Sequence, residues 1–149
     1  AAEKQEDFQK YEELGVKILV EPDPDLLMEN TAEFKSIIKD VRSPMVGLNF
    51  DIGHFFCAGE DPAEALETLF EWVGHVHLED IGISRIHQHL VPGDGAIDLP
   101  AVFRKMKELD YQGDMTLELY TYANGPDVAG VKSLEYLRPI FDETGLNIG

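Results

Sequence analysis

The chain carries one cysteine, Cys57, in 149 residues. A single thiol builds neither an internal disulfide framework nor a cysteine-rich zinc module. Long apolar runs are missing too: nothing approaches the ~20 consecutive residues of a membrane span, and no secretory signal opens the sequence. Positive charge is scarce, with 12 Lys and Arg against 29 Asp and Glu and a formal net charge of −17. A nucleic-acid face needs clustered Lys and Arg, so this balance argues against a polyanionic partner, though not against a small anion in a local pocket. No GxGxxG follows any strand-like run, which removes support for dinucleotide binding. What remains, 44% hydrophobic and 28% charged residues, is the composition of a folded globular chain. The expectation is one domain over residues 1–149, soluble and cytoplasmic.

Strand-like and helix-like segments alternate. Residues 3–14 place Phe8, Tyr11 and Leu14 on one helical face, and Gly15 stands where a helix ends. Val16 to Val20 is β-rich and closes on Glu21 before EPDPD breaks it. Asn30 and Glu33 suit a capping box for a helix with Phe34, Ile37, Ile38 and Val41 inward. Met45 to Asp51 reads as a second strand followed by a loop. Asp61, Pro62 and Glu64 then start a helix carrying Ala65, Leu66, Leu69 and Val73, with Gly74 at its end. His75 to Glu79 is a third strand, and an irregular stretch over 80–97 follows. Asp98 caps a helix with Leu99, Val102, Phe103, Met106 and Leu109 at helical spacing. Met115 to Tyr120 is the fourth strand. A last helix over 127–143 turns Val128, Val131, Leu134, Leu137 and Phe141 inward, with Pro139 kinking or shortening it.

This alternation predicts parallel strands joined by helical crossovers, in an open doubly wound sheet or in part of a (β/α)8 barrel. A whole barrel takes about 250 residues, so four βα units make half of one. A half-barrel leaves two unpaired edges, VKILV and MTLEL, which invite pairing with a second chain.

Four chemistry-bearing residues fall at one structural place in successive units. Glu21 closes the first strand, Asp51 the second, His77 the third and Glu118 the fourth. Side chains at the carboxyl ends of parallel strands converge on one rim, where active sites lie. Three carboxylates and an imidazole gathered there repel unless a cation joins them, and this donor set suits Mn²⁺, Mg²⁺ or Co²⁺ and accommodates Zn²⁺. Around them stand His54, three residues after Asp51, and Arg85, His87 and His89 on the long segment. Spacing does not choose between His87 and His89. That segment ends in Pro92-Gly93-Asp94-Gly95, turn residues that let backbone approach a ligand closely. His75, of the same parity as His77 but one pair deeper, reads as barrel filling or as a support behind the ligand residues. Cys57 reads as packing and Trp72 as core.

The strings GLNFDIGH, HVHLEDI, HLVPGDGAID and YQGDMTLELY resemble the xylose-isomerase-like sugar phosphate isomerase/epimerase superfamily. That group includes tagatose and psicose epimerases, hydroxypyruvate isomerases, inosose isomerases and dehydratases, and apurinic endonucleases of the endonuclease IV type. The resemblance covers residues 15–143 and points to strands five to eight of the family's barrel. It implies one divalent metal held by Glu21, Asp51, His77 and Glu118, the same four residues as the rim argument. It also implies substrate-binding roles for His54 and Arg85, to which the rim argument adds His89. A glutamate that some ketose epimerases carry six residues after the first metal ligand is Leu27 here.

The expected activity is isomerisation or epimerisation of a small sugar or hydroxy-carbonyl compound through a metal-stabilised enediolate, with Glu21 and Glu118 exchanging the carbon-bound proton. A dehydratase or lyase begins with the same proton removal, and a catalytically silent half-barrel keeps the same ligands. The endonuclease branch binds DNA and needs the basic surface this chain lacks. The expected assembly is a homodimer that closes eight strands by edge pairing, with one metal quartet in each half.

Overall fold

Short apolar strands alternate here with helices whose starts are marked by capping side chains, and the chain follows those marks closely. The computed structural model describes residues 11–41 and 43–146. Its strands are β1 (Ile18–Val20), β2 (Val46–Asp51), β3 (Val73–Leu78) and β4 (Met115–Leu117). Its α-helices are α1 (Thr31–Ile38), α2 (Ile52–Cys57), α3 (Pro62–Leu69), α4 (Leu99–Glu108) and α5 (Pro126–Thr144). All strand pairs are parallel and lie in chain order, β1-β2-β3-β4. A doubly wound sheet reverses its strand order at a switch point. This one does not, and it forms an arc of the kind that makes up a barrel wall.

Three starts follow the expected caps. Asn30 accepts from Glu33 N at 3.0 Å, Asp61 from Ala63 N at 2.8 Å, and Asp98 from Ala101 N at 3.0 Å. Such caps are each worth about 1 kcal/mol. The Glu33 side chain completes the box one residue early, on Glu29 N at 2.9 Å.

The period-two alternation of β2 sorts its side chains. Leu48 and Phe50 lie fully buried against the helices, where Phe50 stacks on Phe55 with centroids 4.5 Å apart. Ile52, Leu66, Leu69, Val76, Leu99, Phe103 and Met106 complete that core. Asn49 and Asp51 take the opposite parity and pair in register with His75 and His77, so the inner face of the arc is polar. His75 bonds Thr116 Oγ1 at 2.8 Å on this face. It lines the open side of the arc among polar groups, and its pKa is lowered by burial.

Several local expectations need correction. The loop expected after Asp51 is helix α2, with Asp51 as its N-cap, so His54 sits on a helix. α3 gives way to a 3₁₀ turn at Phe70–Trp72, which brings Val73 and Gly74 into β3 rather than into the helix. Trp72 is partly buried, edge-on to Phe34 at 5.9 Å. β4 stops at Leu117, and Tyr120–Tyr122 forms a 3₁₀ turn that packs Tyr120 on His89.

Two helix faces differ as well. In α1, Phe34 and Ile38 are buried while Ile37 and Val41 are exposed. In α5, Ala129, Ser133, Leu137 and Phe141 face inward, and Val128, Val131 and Leu134 face outward. The small residues Ala129 and Ser133 lie on the buried face, and Ser133 Oγ donates back to Ala129 O at 2.8 Å. Pro139 lies inside α5 without ending it; Gly145, at φ 67°, does that. Of the first expected helix, residues 11–13 are helical and Gly15 takes φ 68°, while Phe8 lies outside the described residues. No helix among the described residues is long and apolar enough to cross a membrane.

Candidate metal centre

The four strand-end residues meet. Glu21 directly follows β1, Asp51 ends β2, His77 lies in β3 and Glu118 directly follows β4. Glu118 continues the ladder by one bond, its N–H donating to Leu78 O at 3.1 Å. One ligand atom from each of the four residues falls within 4.8 Å of all the others. His77 Nδ1 stands 2.9 Å from Glu21 Oε1, 3.0 Å from Glu118 Oε2 and 3.8 Å from Asp51 Oδ2. One ring nitrogen donates at most one hydrogen, so it cannot satisfy three carboxylates.

Among the described residues no Lys or Arg pairs with these acids. Burial pushes Asp51 well above the ordinary carboxylate range, with the neighbouring Glu79 adding to it. Burial also raises Glu21, and Glu118 adds to it against the opposing pull of His77. Asp51 Oδ2 is buried without a partner. Three oxygens and one nitrogen, crowded and short of positive charge, suit a hard or borderline divalent cation.

A second cluster stands beside the first. His54 Nδ1 donates to Pro22 O at 2.8 Å and His89 Nδ1 to Glu118 O at 2.8 Å. Both anchors leave a bare Nε2 facing His87 Nε2, at 3.0 Å and 3.1 Å respectively. Burial lowers His54 to about 4 and lowers His89 as well, against the pull of the carbonyl bond each ring makes. Together with His87 these nitrogens form a group that could hold a cation. His87 thus joins His89 at the rim.

Arg85 goes elsewhere. Its guanidinium lies 4.1 Å above the Phe56 ring and donates to Phe56 O and Glu60 O, from a backbone at φ 58°. Burial pushes the Cys57 thiol up to about 11, which suits packing and not nucleophilic chemistry. Leu27 is exposed.

Sequence reasoning passed over two carboxylates. Asp80, buried, accepts backbone N–H bonds from Ile81, Gly93, Gly95 and Ile97 at 2.9–3.1 Å. The glycine turn is therefore wrapped around a carboxylate of the chain itself, and a Cβ at Gly95 would stand 2.2 Å from Asp80 Oδ1. This bond set folds the 80–97 segment back so that His87 and His89 reach the rim. Glu79, also buried, lies beside Asp51. Its type gave no signal in a strand end already assigned to His77.

Residues 6–140 match the family described as xylose isomerase-like TIM barrel. The chain belongs to that family. An inosose dehydratase of Clostridium botulinum is 29% identical over 120 residues, which are 70% of this chain and 40% of the relative. The crystal structure of a D-tagatose 3-epimerase-like protein aligns with a TM-score of 0.79 at 29% identity, over 97% of this chain and 54% of the other. The IolI protein, solved with a bound zinc atom, shares the fold with a TM-score of 0.73 at 24% identity, over 90% of this chain and 52% of the other. The chain thus spans about half the length of the relatives it matches, as four strands of an eight-stranded barrel require.

Proposed function

We propose that this chain forms the metal-holding half of an active site that moves a proton next to the carbonyl of a small, sugar-like substrate. The observation that carries this reading is the convergence of Glu21, Asp51, His77 and Glu118 on one point. Those four residues would hold one divalent ion, drawn from Mn²⁺, Mg²⁺, Co²⁺ or Zn²⁺. Bound there, it supplies Lewis-acid polarisation of a carbonyl oxygen and so acidifies the neighbouring C–H. Glu21 and Glu118, from the two outermost strands, approach the substrate from opposite sides as base and acid. His54 and His89, each anchored through Nδ1, present Nε2 atoms to substrate hydroxyls. Arg85, whose guanidinium is taken up by Phe56 and the Phe56 and Glu60 carbonyls, stands outside this substrate-binding set.

Two outcomes follow from one proton removal. Return of the proton to a neighbouring position or to the opposite face gives an isomerase or epimerase. Loss of a β-hydroxyl instead gives a dehydratase, and the inosose dehydratases among the relatives favour that second reading equally. The test is deuterium exchange in D₂O with divalent metal, on ketohexoses and on cyclic polyhydroxy ketones. Exchange without water loss supports isomerisation or epimerisation, and an enone product supports dehydration. A Glu118→Gln variant that binds metal and retains full exchange removes Glu118 from the acid–base role.

The remaining four strands come, in this reading, from a second copy. Among the described residues nothing pairs with the outer edges of β1 and β4, and Val16 and Ile18 are exposed beside the first. Edge pairing closes a two-fold barrel with a quartet in each half. Light scattering on the purified chain tests this: a dimer supports it, and a stable, cooperatively unfolding monomer refutes it.

A further inference from the structure

We infer that Asn49 is a positioning residue of the metal centre, one whose side-chain amide holds the carboxylate of Glu21. The inference rests on the metal-centre reading above.

Asn49 precedes Asp51 by two residues on β2, so it faces the same inner side of the arc, one residue pair deeper. β2 stands between β1 and β3 in the sheet, and an amide carried there reaches both neighbours. Its Nδ2 donates to Oε1 of Glu21, just beyond β1, at 2.9 Å. The same nitrogen lies 3.2 Å and 3.3 Å from the two ring nitrogens of His77 on β3. The bond to Glu21 decides which way the amide faces, because the reverse orientation sets oxygen against a carboxylate oxygen. Among the described residues no other amide or hydroxyl side chain donates to any of the four quartet residues.

The far end of the amide makes this placement informative. Asn49 is buried, and its Oδ1 has no partner. A buried acceptor left unpaired is costly, and an apolar side chain of similar size avoids that cost. What Asn49 supplies is therefore the donor at its other end. Glu21 follows a strand of only three residues and is half-buried, so the amide restrains a carboxylate that the ladder itself does not hold. Groups that orient metal ligands in this way typically account for 10–100-fold in affinity.

The experiment is calorimetric titration of Mn²⁺ and of Zn²⁺ into the full chain, with thermal unfolding of each metal-free variant to verify that it folds. Asn49→Leu keeps the volume, removes the donor and should weaken binding about 10–100-fold. Asn49→Ala should do the same and is a second route if the leucine variant does not fold. A residue that acts through Glu21 has nothing to act on once Glu21 is gone. In a Glu21→Ala background, adding Asn49→Leu should therefore change the remaining affinity by less than about threefold. A loss of less than about tenfold in the parent background overturns the role of Asn49. A loss beyond about threefold in the Glu21→Ala background overturns it too, because the residue would then act on the site by another route. Absence of metal binding by the parent overturns the metal-centre reading, and this inference with it.

Discussion

Asp80→Asn is the substitution whose consequence follows most directly from the structure. In Asp80 one oxygen takes the N–H groups of Ile81 and Ile97, the other those of Gly93 and Gly95. An asparagine has one oxygen, so either orientation of the amide loses two of the four bonds. It also aims NH₂ at two backbone donors. Hydrogen bonds to a buried charged acceptor contribute about 1.5–3 kcal/mol each, so the loss is about 3–6 kcal/mol. A domain of this kind has only about 5–15 kcal/mol in total, so the variant sits close to the unfolding threshold. Part of the loss can be avoided by releasing the 80–97 segment, whose antiparallel bridge to Asp80 at Leu90 also weakens. Urea denaturation should show the lowered stability, and hydrogen exchange should quicken at Gly93, Gly95 and Ile97 before the core. A variant within about 1 kcal/mol of the parent, with those amides still protected, refutes the reasoning, because single mutations away from such networks fall in that range.

Other consequences can be checked in parallel. Phe50→Ala removes a fully buried ring stacked on Phe55 and should cost about 3–5 kcal/mol in chemical denaturation. Burial raises the Tyr111 hydroxyl to about 12 while its O–H donates to Asp114 O at 2.8 Å. The folded state therefore holds its proton longer than the unfolded one. Stability from Tyr111 is complete below pH ~10 and is lost as pH rises toward ~12, and Tyr111→Phe should flatten that part of a pH–melting curve. Divalent metal at about 100 times its Kd should add about 2.7 kcal/mol, raising Tm by about 5–10 °C. Asp51→Asn and His77→Ala should abolish that rise, which a thermal-shift assay reads directly.

Legibility of the molecule in its sequence depended on how local each signal was. Asn30, Asp61 and Asp98 announce helix starts because an N-cap acts over three residues, and all three cap. The quartet was legible for a related reason: each of its residues stands at the same point of a repeating strand–helix unit, and parallel strands bring those points together. Helix faces were less so. In α5 a valine-rich stripe suggested one inward face, while Ala129, Ser133, Leu137 and Phe141 occupy it. Which stripe turns inward depends on neighbours distant in sequence. The same holds for Arg85, whose number places it on the rim segment while its side chain lies on Phe56.

The sequence by itself determined the alternation of elements, the parallel half-barrel, the shared strand-end positions of Glu21, Asp51, His77 and Glu118, and the excess of acidic over basic residues. Those follow from periodicity, capping and charge, which act over short stretches of chain. Only the tertiary structure decided what the buried acids do. Asp80 folds the long segment, Glu79 takes the Gly53 N–H at the start of α2, and the Nδ1 anchors on Pro22 and Glu118 turn His54 and His89 toward His87. Each of those roles joins residues from different βα units, and a buried polar group is defined by the partners it finds there.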